Sequence, residues 1–289
     1  MPELPEVEVV KRSLERKIRN LIIKKVKIID GNLRYKVNKS EIFDLVGKKI
    51  KKIKRRSKFI IFEINKNFNL LVHLGMTGKF FYINEKNTKY KTSFYYDLNN
   101  KKDDKHNRII FHFKKKHKLV YNDVRKFGFM KLYRYNEHLK CSHLINLGPE
   151  PLGNEFNFNY LKNYMIDRNR MIKDILMDQK CISGLGNIYA NEILFLSRIK
   201  PTRKVSSLKD YEIKKIVKKT KEVLKKSIKF GGSSIKNFSS DNGKKGEFQQ
   251  HFKVYGRIGK KCSNPDCNEQ IVKLAIANRA SFFCNNCQK

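Results

Sequence analysis

Four of the chain's six cysteines crowd into its last 28 residues, as Cys262-SNPD-Cys267 and Cys284-NN-Cys287. Two such knuckles flanking a short hairpin bring four thiolates into a tetrahedron, the closed arrangement of a structural zinc with no position left for a catalytic water. A hairpin that small has no core of its own, so binding the metal and folding would be one event. Arg279, in "NRASFFC", stands at the base of the hairpin's second strand, either as an ordinary solvated arginine or as a fork for phosphate. In "GLGNIYANEILF", Gly184 and Gly186 precede Asn187 at a helix start. Free N–H groups there form an anion site, although a plain interhelical turn would use the same glycines. At the opposite end, "MPELPEVEVV" sets Pro2 and Glu3 just ahead of a helix, with Pro5 in its first turn, where a missing N–H costs nothing. Those two residues either cap the helix or carry chemistry, depending on what the chain binds.

The elements that must hold these residues follow from periodicity. Val7, Val10, Leu14 and Ile18 recur at helical spacing, so residues 5–19 read as an amphipathic helix. From about 21 to 135 the pattern turns to short alternating segments: "VKIID", "KFIIFEI", "FNLLVHLG", "KFFYI", "IIFHF" and "HKLVYND" read as strands of a two-layer β domain. Residues 84–107 are polar, low in complexity and read as an expanded surface loop. "LGPEPLG" at 147–153 marks a linker. Helical patterns follow near 155–166, 170–178, 186–197 and 207–228, then a Gly-rich stretch, then the cysteine hairpin with strands in "QIVKLAIA" and "ASFF". Cys141 and Cys181 are isolated and read as core residues.

Charge narrows the partner. Sixty-five Lys and Arg against 27 Asp and Glu give a formal net charge of +38, a field that favours nucleic acid before membrane. The abundance of Lys, Asn and Ile with no Trp is also the profile of a compositional bias, so charge alone names no function. No apolar run approaches the roughly 18 residues of a membrane span, and no signal-peptide pattern precedes the acidic start. A soluble intracellular protein is the expectation.

"PELPEVE", "HLGMTG", "DVRKFG", "LGPEPL", "LMDQ…GLGNIYANE", "VYGR" and the four-cysteine end occur in that order. The set resembles the formamidopyrimidine-DNA glycosylases, bacterial base-excision enzymes that remove oxidised purines such as 8-oxoguanine. The likeness runs from Pro2 to Lys289. It implies an α+β multidomain chain: an N-terminal helix plus a two-layer antiparallel β-sandwich over 1–135, a linker over 136–153, a helix-two-turn-helix domain over 154–245, and a zinc-binding β-hairpin over 246–289. It also implies one structural zinc, duplex DNA carrying a damaged base or abasic site as partner, monomeric action, and a cytoplasmic, nucleoid-associated location.

Residue by residue, the resemblance implies that the amine of Pro2, exposed by removal of Met1, is the nucleophile. An α-amine with a reference pKa of about 7.7–8.0 is unprotonated far more often at neutral pH than a lysine near about 10.4. Proline's amine is more basic than that average, and the positive end of the following helix pulls it back down. It attacks the sugar C1′, expels the base and leaves an iminium. Glu3 then supplies a proton, Lys58 acts in β-elimination, and Arg279 acts in δ-elimination and phosphate contact. Glu6 is either a second acidic site residue or a cap. His73, Asn187, Lys58 and Arg279 match the phosphate-gripping set, with His106, Arg125 and Arg168 at further DNA-contact positions. Met76, Arg125 and Phe127 match the trio that fills the space of the extruded base. "SSDNGKKGEF" matches the segment that folds over that base.

Two departures stand out: a Cys-x4-Cys first knuckle where Cys-x2-Cys is usual, and the 84–107 insertion, read as solvated. The combined reading is a bifunctional glycosylase and β,δ-lyase. An endonuclease VIII-like enzyme for oxidised pyrimidines and a non-catalytic zinc-dependent DNA binder are the alternatives.

Overall fold

The structure is a computed structural model that describes the chain except for Lys66, 93–100, Asn136 and 234–247, and the side chains of 101–103. The chain forms two compact units, Met1–Ile145 with the described part of Phe230–Glu247, and Asn146–Lys229 with Phe248–Lys289. The cysteine hairpin therefore belongs to the second unit.

The first unit begins with helix α1 (Leu4–Ile18), whose Val7, Val10, Leu14 and Ile18 are buried as the spacing predicts, with Leu4 buried beside them. Next come β1 (Lys25–Ile28), the short helix α2 (Lys39–Phe43), β2 (Ile50–Arg56), β3 (Phe59–Ile64), β4 (Phe68–His73), β5 (Lys79–Ile83) and β6 (Lys89–Lys91). A 3-10 turn at Lys101–His106 leads into β7 (Asn107–His112), β8 (Lys118–Asn122) and β9 (Phe129–Arg134). Two antiparallel sheets result, in the orders β1-β7-β8-β5-β6 and β2-β3-β4-β9. Their inner faces share one core in which the Phe62 and Phe80 rings meet at 5.9 Å. This is the predicted α+β sandwich.

Two strands escaped the sequence pattern. In β2, "IKKIKRR", the buried Ile50 and Ile53 lie three apart because a bulge shifts the register between Ile50 and Lys52. β9, "FMKLYR", has only its first two residues buried. The reading of 84–107 as one loop also needs correction. Lys89–Lys91 pair with Phe81–Ile83 as an edge strand, and 93–100 lie outside the described residues.

β2 is an edge strand, and α1 covers it. Glu15 Oε2 accepts the Ile53 N–H at 2.5 Å, and Glu8 Oε2 accepts Arg55 Nε at 2.9 Å. Arg55 Nη1 in turn donates to Ser57 O at 2.9 Å. The tight β2–β3 turn, with Ser57 at a φ of 55°, is thus tied back to the N-terminal helix.

The second unit contains α3 (Phe158–Met165), α4 (Ile172–Met177), α5 (Asn187–Ser197), α6 (Asp210–Lys229) and the hairpin β10 (Ile271–Ile276) with β11 (Arg279–Cys284). α4 is shorter than the predicted 170–178. Asp178 leaves the helix and its carboxylate accepts the Lys180 N–H at 3.0 Å. Gln179 then knits the α4–α5 turn, donating to Met177 O and Leu185 O and accepting the Gly184 N–H at 2.9 Å. α5 is buried on nearly every face, and Tyr189 OH meets Ser227 Oγ of α6 at 2.6 Å. Among the described residues, no helix is long and apolar enough to cross a membrane.

Candidate functional site

The start of the chain is anchored. Pro2 and Glu3 are buried, and Glu3 is the N-cap of α1. Glu6, at the third helical position, accepts the Glu3 N–H with Oε2 at 2.9 Å. Its other oxygen accepts Ser233 N–H at 2.8 Å and Ser233 Oγ–H at 2.9 Å. Both oxygens are thus engaged, and Glu6 does cap the helix.

Lys58 occupies the β2–β3 turn that Arg55 ties to α1, and it is buried. His73 ends β4 between the rings of Phe59 (5.0 Å) and Phe129 (5.7 Å). Its Nδ1 accepts the Gly75 N–H at 3.1 Å, so Nε2 carries the proton of the neutral ring. Burial drives the His73 pKa down to about 4, aided by the charges of Lys58 and Arg34 and by His143 and the terminal amine. The positive charges of Lys58 and of the chain terminus thus both bear on the His73 ring. A neutral histidine keeps its Nε2–H as a hydrogen-bond donor at any physiological pH.

Met76 and Phe127 stand on two adjacent loops, 39% and 44% exposed, with the Arg125 guanidinium 4.5 Å from the Phe127 ring centroid. The loops touch through backbone. A Cβ on Gly75, whose φ is +61°, would lie 2.4 Å from Phe127 C and Gly128 N. His106 closes the 3-10 turn and accepts the Asp123 N–H at 3.0 Å, which ties it to the Arg125 loop. Sequence reasoning missed what holds this pair of loops: the fully buried Asp123 carboxylate, which accepts from Thr77, Tyr121 and Gly128. Asp123 lies in the quoted motif, but nothing in its spacing distinguishes it from a solvated loop aspartate.

In the second unit, Asn187 opens α5 after Gly186 and donates from Nδ2 to Ala280 O at 2.9 Å. The fully buried Lys173 donates to the same carbonyl at 3.0 Å and to Ser281 Oγ at 2.6 Å. Burial pushes the Lys173 amine down to about 8, and the Arg279 charge acts in the same direction. Arg279 itself is exposed and begins β11 after the two-residue turn Ala277–Asn278, both at positive φ. Asn187 is thus tied to the residue that follows Arg279, and Lys173, one of the chain's many lysines, is a second residue the sequence did not single out. Arg168 is held differently: its Nε donates to Tyr164 O at 2.5 Å and its guanidinium lies 4.3 Å from the Tyr164 ring centroid.

The four cysteine sulfurs of Cys262, Cys267, Cys284 and Cys287 lie within 4.8 Å of one another. Cys262–Cys287 and Cys267–Cys284 are 3.7 and 3.6 Å apart. A tetrahedron with metal–sulfur bonds of about 2.3 Å has edges of about 3.8 Å, so this donor set fits a zinc-sized ion. Pro265 and Asp266 are exposed, and the longer first knuckle leaves the sulfurs converged. Asn264 and Asn286 each direct a side-chain N–H at a sulfur, at 3.4 and 3.5 Å.

An α+β unit with an anchored N-terminal residue beside a basic turn, and a second with a helix-turn-helix cradle and a thiolate hairpin, define a nucleic-acid-binding protein of the helix-two-turn-helix class. Residues 1–130 match the formamidopyrimidine-DNA glycosylase N-terminal domain, and 147–239 match the formamidopyrimidine-DNA glycosylase H2TH domain. A formamidopyrimidine-DNA glycosylase of Rickettsia bellii is 38% identical over 289 residues, 100% of either chain. A mutant Lactococcus lactis FPG in complex with Fapy-dG-containing DNA superposes with a TM-score of 0.86 at 33% identity, covering 100% of each chain. The wild-type L. lactis FPG in complex with DNA containing an oxidized pyrimidine gives 0.84 at 33% identity, again over 100% of each chain. The chain belongs to the formamidopyrimidine-DNA glycosylase family.

Proposed function

We propose that this chain removes oxidised purines, 8-oxoguanine and formamidopyrimidines, from duplex DNA and then cuts the strand at the abasic site. The observation that carries the reading is the anchored N-terminus: Pro2 and Glu3 are buried and Glu6 pins the Glu3 amide, while the charges of Lys58 and the chain terminus both bear on neutral His73. A frayed terminus could not hold a nucleophile against one sugar carbon.

With Met1 removed, the Pro2 nitrogen bonds to C1′ as the C1′–base bond breaks, and the proton that this nitrogen sheds leaves on the departing base. Glu3 gives a proton to the ring oxygen as the sugar opens, leaving the iminium. Loss of a C2′ proton then expels the 3′ phosphate, with Lys58 as the proton donor at this stage. In a second elimination the C4′ proton is lost and the C5′–O bond breaks, so that the 5′ phosphate leaves with Arg279 held against it. His73, Asn187, Arg279 and Lys58 grip the backbone, His106, Arg125 and Arg168 extend the contact, and Met76 and Phe127 replace the lost stacking. Cys262, Cys267, Cys284 and Cys287 hold one zinc, which supplies the hairpin's core and takes no part in the chemistry.

Borohydride trapping on an 8-oxoguanine:cytosine duplex tests this. The expected result is a covalent adduct that disappears in the form retaining Met1 and changes in rate in Pro2→Gly. An adduct that persists with Met1 in place would overturn the Pro2 assignment. Tight DNA binding with no adduct would leave a zinc-dependent DNA-binding protein. Because a family member is seen with an oxidized pyrimidine in its DNA, a second duplex carrying thymine glycol belongs in the same assay. A clear preference for it would favour the pyrimidine-directed reading.

A further inference from the structure

We propose that Asp123 is the positioning residue that makes Met76, Arg125 and Phe127 act as a single wedge. The inference rests on the base-extruding function proposed above. Met76 is carried by the β4–β5 turn and Arg125 and Phe127 by the β8–β9 loop; the flanking strands pair as far as His73 with Phe129 and Lys79 with Asn122, and between those pairs the turn and the loop lie outside the ladders. The Asp123 carboxylate joins them. Its Oδ1 accepts Thr77 Oγ–H at 2.5 Å, from the residue next to Met76. Its Oδ2 accepts the Gly128 N–H at 2.8 Å, from the residue after Phe127, and Tyr121 O–H at 3.3 Å.

The hydroxyl geometry carries the link further. Thr77 Oγ gives its proton to Asp123 and in the same position accepts the Arg125 N–H at 3.0 Å. Each of the three wedge residues is therefore within one residue of a group bound directly or through Thr77 to this carboxylate. Asp123 is fully buried, so water does not stand in for it.

Close packing holds the two loops against one another. A Cβ on Gly128 would sit 1.9 Å from the Tyr121 hydroxyl oxygen and 2.8 Å from the His73 carbonyl oxygen, and one on Gly78 would sit 2.5 Å from the same hydroxyl. Beneath the loops, Arg108 Nε donates to Asp123 O at 2.9 Å and Arg108 Nη1 to Asp30 Oδ2 at 2.9 Å, while Lys126 reaches the same Asp30 oxygen at 2.7 Å. The base of the β8–β9 loop is thus fixed and Asp123 transmits that rigidity to the Met76 turn. Side chains that must fill a vacated base site together gain from being ordered before DNA arrives, because the ordering cost is then not charged to the extruded state.

The test compares two substrates. Single-turnover excision from an 8-oxoguanine:cytosine duplex requires base extrusion, whereas borohydride trapping at a preformed abasic site does not. Wild type, Asp123→Asn, Met76→Ala and the double variant are measured on both. Asp123→Asn is expected to slow excision by about 10- to 100-fold, the rate equivalent of one charge-assisted hydrogen bond. Trapping should fall by less than about threefold, and the double variant should excise no more than about twofold slower than the slower single variant.

Equal losses on both substrates, or losses that multiply in the double variant, would overturn the proposal and leave Asp123 a plain stabilising residue. If Asp123→Asn does not fold, Thr77→Val cuts the same link with an intact carboxylate and enters the same cycle, with the same two outcomes. A wild-type chain that traps at abasic DNA yet never excises would overturn the function reading itself, and the wedge with it.

Discussion

Replacing Glu6 by Gln separates anchoring from chemistry at the N-terminus. The Glu6 carboxylate accepts three hydrogen bonds, one from the Glu3 amide and two from Ser233, and it is buried. Gln retains one acceptor oxygen. If that oxygen serves Ser233, the amide NH₂ is turned toward the Glu3 N–H and two donors oppose each other. If it serves Glu3, the Ser233 pair is abandoned. One lost bond to a charged acceptor, with its donor left buried, costs about 2–3 kcal/mol. In a unit of this size that corresponds to a fall of roughly 4–12 °C in melting temperature. Because the Glu3 amide is one peptide bond from Pro2, the amine would also be held less well, and displacements on the order of 1 Å cost about 100-fold in rate. Thermal melting and single-turnover trapping, measured on the same preparations, are expected to fall together. Loss of trapping with a melting temperature within about 1 °C of wild type would refute the reasoning, since Glu6 would then act in the reaction rather than as a tether.

Three further expectations follow from the geometry. The His73 pKa is about 4 in the folded chain against about 6.5 when unfolded, so between these values the unfolded state binds more protons. Stability contributed above pH 6.5 is lost as pH falls toward 4, and the wild-type melting temperature should drop across that window more than that of His73→Gln. Thiol modification with a metal-responsive dye should release one zinc per chain, and Cys267→Ser should release none and melt at lower temperature; full occupancy in Cys267→Ser would contradict a four-sulfur site. Lys173→Met removes the donor to Ala280 O and Ser281 Oγ beside Arg279, so binding to abasic-site duplex should weaken by roughly tenfold, and unchanged affinity in a fluorescence-anisotropy titration would show that Lys173 does not hold Arg279 in place.

Much of this protein was legible in one dimension, for a physical reason. The spacing of Val7, Val10, Leu14 and Ile18, the two cysteine pairs, and the glycines before Asn187 encode local constraints: a buried helical stripe, a ligand tetrahedron, and a tight turn opening a helix. Such constraints act over a few residues and leave their mark in the order of residue types. β2 failed that reading because a bulge breaks the period of two, and only pairing with β3 and cover from α1 make it a strand.

The buried polar groups were decided by tertiary structure alone. Glu6 could have been an acid or a cap until Ser233 took its second oxygen, more than 200 residues along the chain. Asp123 and Lys173 look like ordinary charged residues in a chain with 92 of them, 65 basic and 27 acidic. They differ from the rest because each is buried where it meets partners from distant segments: Thr77 and Gly128 for one, Ala280 and Ser281 for the other. Burial makes a charge costly unless its hydrogen bonds are complete, and completing them fixes the position of whatever donates or accepts. That condition depends on which segments meet in space, and residue order along the chain does not contain it.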